Sequence, residues 1–243
     1  MCGRYFLHST AEQLTGLFGE MPMPLLEPRY NISPTQPVPI VRQDPQGRRE
    51  MVLVRWGLIP GWSKGPDSRY SMINARLESV AQKPAYRNAF RYRRCLVPAD
   101  GFYEWKAVDG AKQPCVLRPR EGRPLALAGL WEAWADRLSG ELLESCTILT
   151  TSANQTLGRI HDRMPVILGV RTVAGAPPTL TVAGIAVGIG INPGIAFAAI
   201  ARAALAPPTR RGRTNGHHVL IAGGISDVAV ILVGRGRKQC HAG

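Results

Sequence analysis

Hydrophobic positions fall into one helical stripe near the start of the chain, followed by a succession of short strand-like runs. In the helical stripe, Leu14, Leu17 and Phe18 recur at helical spacing. Ser9 and Thr10 stand before Glu12 and Gln13 at capping-box distance, and Gly19 supplies a stop. The Pro-rich stretch from Met21 to Pro28 predicts a loop. PVPIVRQ and EMVLVRW, joined by Asp44-Pro45-Gln46-Gly47, predict a hairpin between Pro37 and Trp56. GLIPGWSKGPDS is too rich in Gly and Pro for regular structure, which puts Trp62 on a loop. Helical pieces are expected between Leu77 and Arg91. CLVPA, FYEWKAV, QPCVLRP, PLALAGLW and SCTILTT then predict consecutive strands, with a tight turn at Asp109-Gly110. Strands that follow one another without intervening helices predict an α+β fold: a largely antiparallel, barrel-like β core with short flanking helices.

The pattern changes after about Leu168. Residues 169–243 hold eight Arg or Lys against one acid, Asp227, and one aromatic, Phe197, together with thirteen of the 26 glycines. This predicts a domain over 1–168, with its last core strand at risk, and a divergent Gly/Ala/Arg-rich tail over 169–243. The tail's composition suggests a GC-rich gene read out of frame, or a disordered extension. The apolar run Leu180–Ala201 approaches the roughly 20 residues of a bilayer span. Its Gly and Ala, with little Leu or Phe, argue against one, so no membrane association is expected.

Charge narrows the partners. Thirty Lys and Arg against 17 Asp and Glu give +13, which favours a polyanion such as nucleic acid. The five cysteines lack C-x-x-C spacing, so neither a zinc module nor a disulfide framework is expected, and reduced thiols fit the cytoplasm. MCGRYFLHST contains no apolar run of signal-peptide type.

Candidate chemistry begins at Cys2. Position alone leaves it a small residue at a frayed end. If Met1 is removed, however, Cys2 becomes a 1,2-aminothiol whose amine and thiol titrate near pH 8 to 8.5. An aminothiol condenses with aldehydes: the amine forms a Schiff base, the thiolate adds to the same carbon, and a thiazolidine closes. Gly3 and Arg4 follow with open backbone and a cation. YRNAFRYRR (Tyr86–Arg94) interleaves arginines with aromatics, which suits either a groove for unpaired bases or a solvated helix face. Asn74 and Arg76, two apart in an extended segment, share a face. Glu104, between Tyr103 and Trp105, is a candidate proton shuttle, and His161 a candidate acid–base group beside Asp162 and Arg163.

MCGRY, YNISPT (Tyr30–Thr35), WGLIPGW (Trp56–Trp62), INAR (Ile73–Arg76), CLVPADGFYEW (Cys95–Trp105) and IHDRMPVIL (Ile160–Leu168) together resemble the SRAP family of SOS-response-associated peptidase-like proteins. The resemblance implies a protein that shields abasic sites in single-stranded DNA by a covalent crosslink through Cys2. It also implies thiol autopeptidase chemistry that removes Met1, and possible lyase activity. By the same resemblance Cys2, Asn74, Glu104 and His161 are catalytic, and Arg4, Arg76, Trp62 and Arg163 bind DNA. No metal or cofactor is implied. The expected partner is single-stranded DNA containing abasic sites, met by a cytoplasmic monomer that is nucleoid-associated when bound. The match ends at Leu168. The family's acidic, Trp-containing segment and late Val-Asn strand have no counterpart in the tail. Two other functions fit parts of the sequence: a thiol peptidase with His161 as base, and a non-catalytic basic DNA-binding protein.

Overall fold

A computed structural model describes residues 2–66 and 71–171, and the stretches 179–182 and 228–232; residues 169–171 and those two stretches are described as backbone only. Elements follow in chain order: β1 (Arg4–Leu7), α1 (Ala11–Phe18), β2 (Arg29–Ile32), β3 (Pro37–Gln43), β4 (Arg49–Trp56), β5 (Asn74–Arg76) and α2 (Arg87–Tyr92). They continue with β6 (Arg94–Ala99), β7 (Gly101–Val108), β8 (Ala111–Pro119), β9 (Leu125–Ala135), β10 (Leu142–Ser152) and a 3-10 turn at Leu157–Arg159. Last come β11 (Arg163–Pro165), β12 (Ile167–Arg171), β13 (Thr179–Val182) and β14 (Val228–Leu232).

Five strands close a ring in the order β10-β4-β3-β6-β9, and β9 returns to β10. All neighbours in the ring are antiparallel except β4 and β10, which run parallel. The ring is built wholly from residues between 37 and 152, so none of the tail is needed to close it. A second, antiparallel sheet runs β14-β8-β7-β1-β2 and packs beside the ring. This is the α+β, barrel-like architecture that the consecutive strands predict. The tail adds backbone strands at the edges: β13 on β12, and β14 on β8. The rest of the Leu180–Ala201 run lies outside the described residues. Among the described residues no helix is long and apolar enough to cross a membrane.

Local chemistry explains the elements. Thr10 caps α1: its hydroxyl accepts from the Gln13 amide, and the Gln13 side chain accepts from the Thr10 amide. Gly19, at φ 84°, ends the helix in a backbone conformation few other residues adopt. Asp44 fixes the β3–β4 turn by accepting from the amides of Gln46 and Arg48. Of the helical pieces expected between Leu77 and Arg91, the structure forms one, Arg87–Tyr92, and the residues before it are mostly turns. Pro84 accounts for this, because it disfavours helical backbone at Lys83.

Trp56 ties the two sheets together. It is fully buried, donates its indole N–H to the Ile73 carbonyl (3.0 Å), and meets the ring of Tyr5 on β1 edge-on at 5.3 Å. Gly101 lets β1 lie close to β7, since a Cβ there would come within 2.5 Å of both Phe6 Cζ and the Leu117 carbonyl.

Candidate active site

Cys2 enters the fold just before β1 and is completely buried in the core. Asn74, the first residue of β5, reaches it across the structure: the Asn74 amide nitrogen donates to the Cys2 carbonyl at 2.8 Å. The short β5 is held against β10, with Asn74 opposite Ile148, and this fixes where that amide points. The Asn74 amide oxygen is buried and accepts no hydrogen bond among the described residues.

Glu104 comes from the neighbouring strand. Arg4 on β1 pairs with Tyr103 on β7, so Glu104 lies one step further toward Cys2. Its side chain is buried, and burial pushes its carboxyl above the usual range, while His161 pulls the other way. The Cys2 thiol is also pushed far up, first by burial and then by the nearby Glu104 charge. The site therefore holds a protonated thiol beside a carboxyl that is harder than usual to ionise.

His161 follows the 3-10 turn, and its amide donates to the Leu157 carbonyl at 3.0 Å. Its Nδ1 accepts from the Arg163 amide at 3.0 Å, and an oxygen of the exposed Asp162 lies 2.7 Å from the same nitrogen. Nδ1 therefore meets both a donor, the Arg163 amide, and an acceptor, the Asp162 carboxylate.

The residues expected to meet DNA divide into two groups. Trp62 stands 63% exposed on its loop, and Arg76 is exposed at the end of β5. Arg4 is half-buried and donates to the Asn31 side chain at 3.0 Å. Arg163 is placed differently. Its guanidinium forks onto both oxygens of Glu78 at 2.8 Å and also donates to the Thr150 carbonyl at 2.8 Å. It braces β11 against β10 and the turn after β5. The YRNAFRYRR segment is split as well: Tyr86 and Ala89 enter the core, Arg93 pairs with Glu132 at 3.1 Å, and Arg87, Arg91 and Tyr92 face outward.

Some supporting residues were not singled out from sequence. Asp100, buried, accepts from the amides of His8 and Ser9 and from the Ser9 hydroxyl, latching the end of β1. Its acid next to Gly101 suggests only a surface turn. Trp134 donates to the Ser63 carbonyl at 3.0 Å and packs under Gly65, anchoring the Trp62 loop. Among the described residues no group of three or more His, Cys, Asp or Glu is placed to hold a metal ion.

Residues 1–174 match the family described as SOS response associated peptidase (SRAP). Among curated proteins, the chain is similar to abasic site processing protein YoaM of Bacillus subtilis, with 41% identity over 172 residues, covering 69% of this chain and 75% of that protein. It is also similar to abasic site processing protein YoqW of the same organism, at 40% identity over 172 residues, covering 69% and 76%. Among solved structures, a protein from Bacteroides thetaiotaomicron shares the fold with a TM-score of 0.69 at 19% identity, covering 96% of this chain and 93% of that one.

Proposed function

The chain belongs to the SOS response associated peptidase (SRAP) family, and on that basis we infer that it processes abasic sites in DNA through a covalent bond to Cys2. The observation that carries the reading is the joint placement of a buried Cys2, held through its carbonyl by Asn74, beside a carboxyl kept hard to ionise on Glu104. While Met1 is attached, the Cys2 nitrogen is an amide and inert. Once Met1 is removed, that nitrogen is an amine carrying a lone pair.

The reaction then balances without metal or redox partner. In single-stranded DNA the base-less deoxyribose opens to an aldehyde: His161 protonates the ring oxygen as it leaves C1′, and the proton given up by the C1′ hydroxyl returns to His161. The Cys2 amine adds to C1′ as one of its protons moves to the aldehyde oxygen, and protonated Glu104 then donates to the hydroxyl so formed, which leaves as one water and gives a protonated Schiff base and a Glu104 carboxylate. The thiol sulfur adds to the same carbon as its proton passes to the Glu104 carboxylate. This closes the thiazolidine and restores the acid. A carboxyl with a raised pKa suits both halves of that exchange. Asn74 holds the Cys2 backbone so that amine and thiol face one carbon. Arg4 and Arg76 supply cations for flanking phosphates, and Trp62 an exposed ring where the strand turns. The work falls to residues 1–168 and would proceed in the cytoplasm, on the nucleoid.

A peptidase acting on other proteins fits less well. Cysteine peptidases lower the thiol's pKa to hold a thiolate, and Cys2 is shifted the opposite way. The test is incubation with a single-stranded oligonucleotide carrying one abasic site, followed by denaturing electrophoresis. A band of slower mobility is expected from the parent and none from Cys2→Ala; a band that survives in Cys2→Ala overturns the reading.

A further inference from the structure

The outer face of the β2-β1-β7 sheet carries a row of aromatic rings that the reaction at Cys2 does not use. On β1, Tyr5 and Leu7 point into the core, so Arg4, Phe6 and, just past the strand, His8 lie on the opposite face, where Phe6 is itself buried under its neighbours. The Phe6 and His8 rings stack at 5.8 Å and 18°, and His8 stacks on Tyr30 at 5.5 Å and 28°. Tyr103 leans on Phe6 at 5.6 Å and donates its hydroxyl to the Tyr30 carbonyl at 2.7 Å. Gly101 is the floor beneath Phe6, with no room for a side chain. The far end of the row is open: Tyr30 is 64% exposed.

The row is held rigidly. Asp100 grips the backbone of His8 and Ser9, and one of its oxygens stands 3.5 Å from His8 Nδ1. The row also begins where the chemistry happens, because Cys2 lies on the same chain segment six residues before His8. At about 3.3 Å per residue the two are roughly 20 Å apart. Bases stacked at about 3.4 Å would cross that distance in about six nucleotides, and a stretched strand in fewer. Arg4, held by Asn31, stands between as a cation on the path.

We propose that this face is a stacking subsite for unpaired bases of the DNA strand on one side of the lesion, with Tyr30 as its outer platform and His8 stacked behind it. Aromatic sheet faces take single-stranded nucleic acid because every base has a π-face, and a cation on the path holds the backbone. The subsite deepens the reading given above: it implies that the protein engages several nucleotides beside the abasic site.

The test uses the full chain and a lesion-free single-stranded oligonucleotide of about 20 nucleotides, longer than the sites of known single-strand folds. Fluorescence anisotropy should show binding weakened about tenfold by Tyr30→Ala, the loss of one stacked base, and restored by Tyr30→Phe, which keeps the ring. His8→Ala should weaken binding in the same direction. With an abasic oligonucleotide, trimming the flank on one side should lower crosslinking by the parent at limiting DNA, and should have little further effect in Tyr30→Ala. Equal binding by the parent and Tyr30→Ala overturns the subsite; so does a Tyr30→Phe protein as weak as Tyr30→Ala, which would assign the effect to the hydroxyl. Lesion-free binding requires no covalent step, so the Tyr30 effect must persist in a Cys2→Ala background. If that effect stands while the parent forms no crosslink, the covalent reading has failed and the subsite has not. If crosslinking succeeds and the Tyr30 effect is absent, the subsite has failed alone.

Discussion

Replacing Arg163 by Ala separates a structural cation from a DNA-binding one. The Arg163 guanidinium makes two 2.8 Å hydrogen bonds to Glu78 and one of 2.8 Å to the Thr150 carbonyl, with its own side chain 11% exposed. Removing one partner of a buried pair costs about 3–5 kcal/mol. Glu78 is 30% exposed, so water recovers part of its carboxylate, and about 2–3 kcal/mol is the expected loss. For a domain of this size, at about 2–4 °C per kcal/mol, the melting temperature should fall by roughly 4–12 °C. Arg163→Lys should recover only part, since an ammonium does not fork onto both oxygens. The loss should also depend on pH. Burial pushes the Glu78 carboxyl up, but hydrogen bonds and charge from Arg163 outweigh it and hold the carboxyl below its usual range. A lowered carboxylate stabilises the fold above its unfolded pKa of about 4.3, and that stability fades as pH falls through the lowered value. The difference between parent and variant should therefore be full at neutral pH and shrink in acid. The assay is thermal unfolding followed by circular dichroism, beside the salt dependence of single-strand binding. An unchanged melting temperature, with a salt slope reduced by about 0.7, would refute the reasoning and make Arg163 a phosphate contact.

Arg76→Ala should behave in the opposite way, leaving the melting temperature unchanged and lowering the slope of log affinity against log salt by about 0.7. Glu104→Gln should lower the crosslinking rate by about 10²–10⁴-fold, the usual contribution of a positioned acid–base group, as read by gel time courses. The same variant should be more stable than the parent, with a gain that is absent in acid and grows as pH rises. A carboxyl raised by burial costs stability only as pH passes from its unfolded pKa through the raised folded value, which melting curves across pH will detect. Gly101→Ala should destabilise the fold by about 1–3 kcal/mol through overpacking against Phe6 and Leu117, measured by denaturant titration.

Strand order and register were legible where turn chemistry is local. Asp44 and Gly47 specify the β3–β4 hairpin, and Asp109-Gly110 the turn from β7 to β8, because each turn satisfies its own backbone. The closure of the ring was less legible. The parallel contact between β4 and β10 joins residues about 90 apart in the chain, which no hydrophobic period encodes. The same limit applies to the site. Sequence motifs pointed to Cys2, Asn74 and Glu104, and the fold brings them to one buried place, yet the bond from Asn74 to Cys2 spans 72 residues. The pairing of Arg163 was no more legible, since nothing in its neighbourhood reveals Glu78, 85 residues earlier, as its partner. Ser9 illustrates a smaller case: it shares capping-box residue types with Thr10, but Thr10 caps the helix and Ser9 binds Asp100.

The central claim is that Cys2, freed of Met1, joins both its nitrogen and its sulfur to one carbon of an abasic deoxyribose. Intact mass spectrometry of the denatured adduct with a single-stranded abasic oligonucleotide tests this most directly. The predicted mass is that of the chain without Met1, plus the oligonucleotide, less one water, with proteolysis mapping the bond to Cys2. An adduct that retains Met1, or one that maps to a lysine, would contradict it.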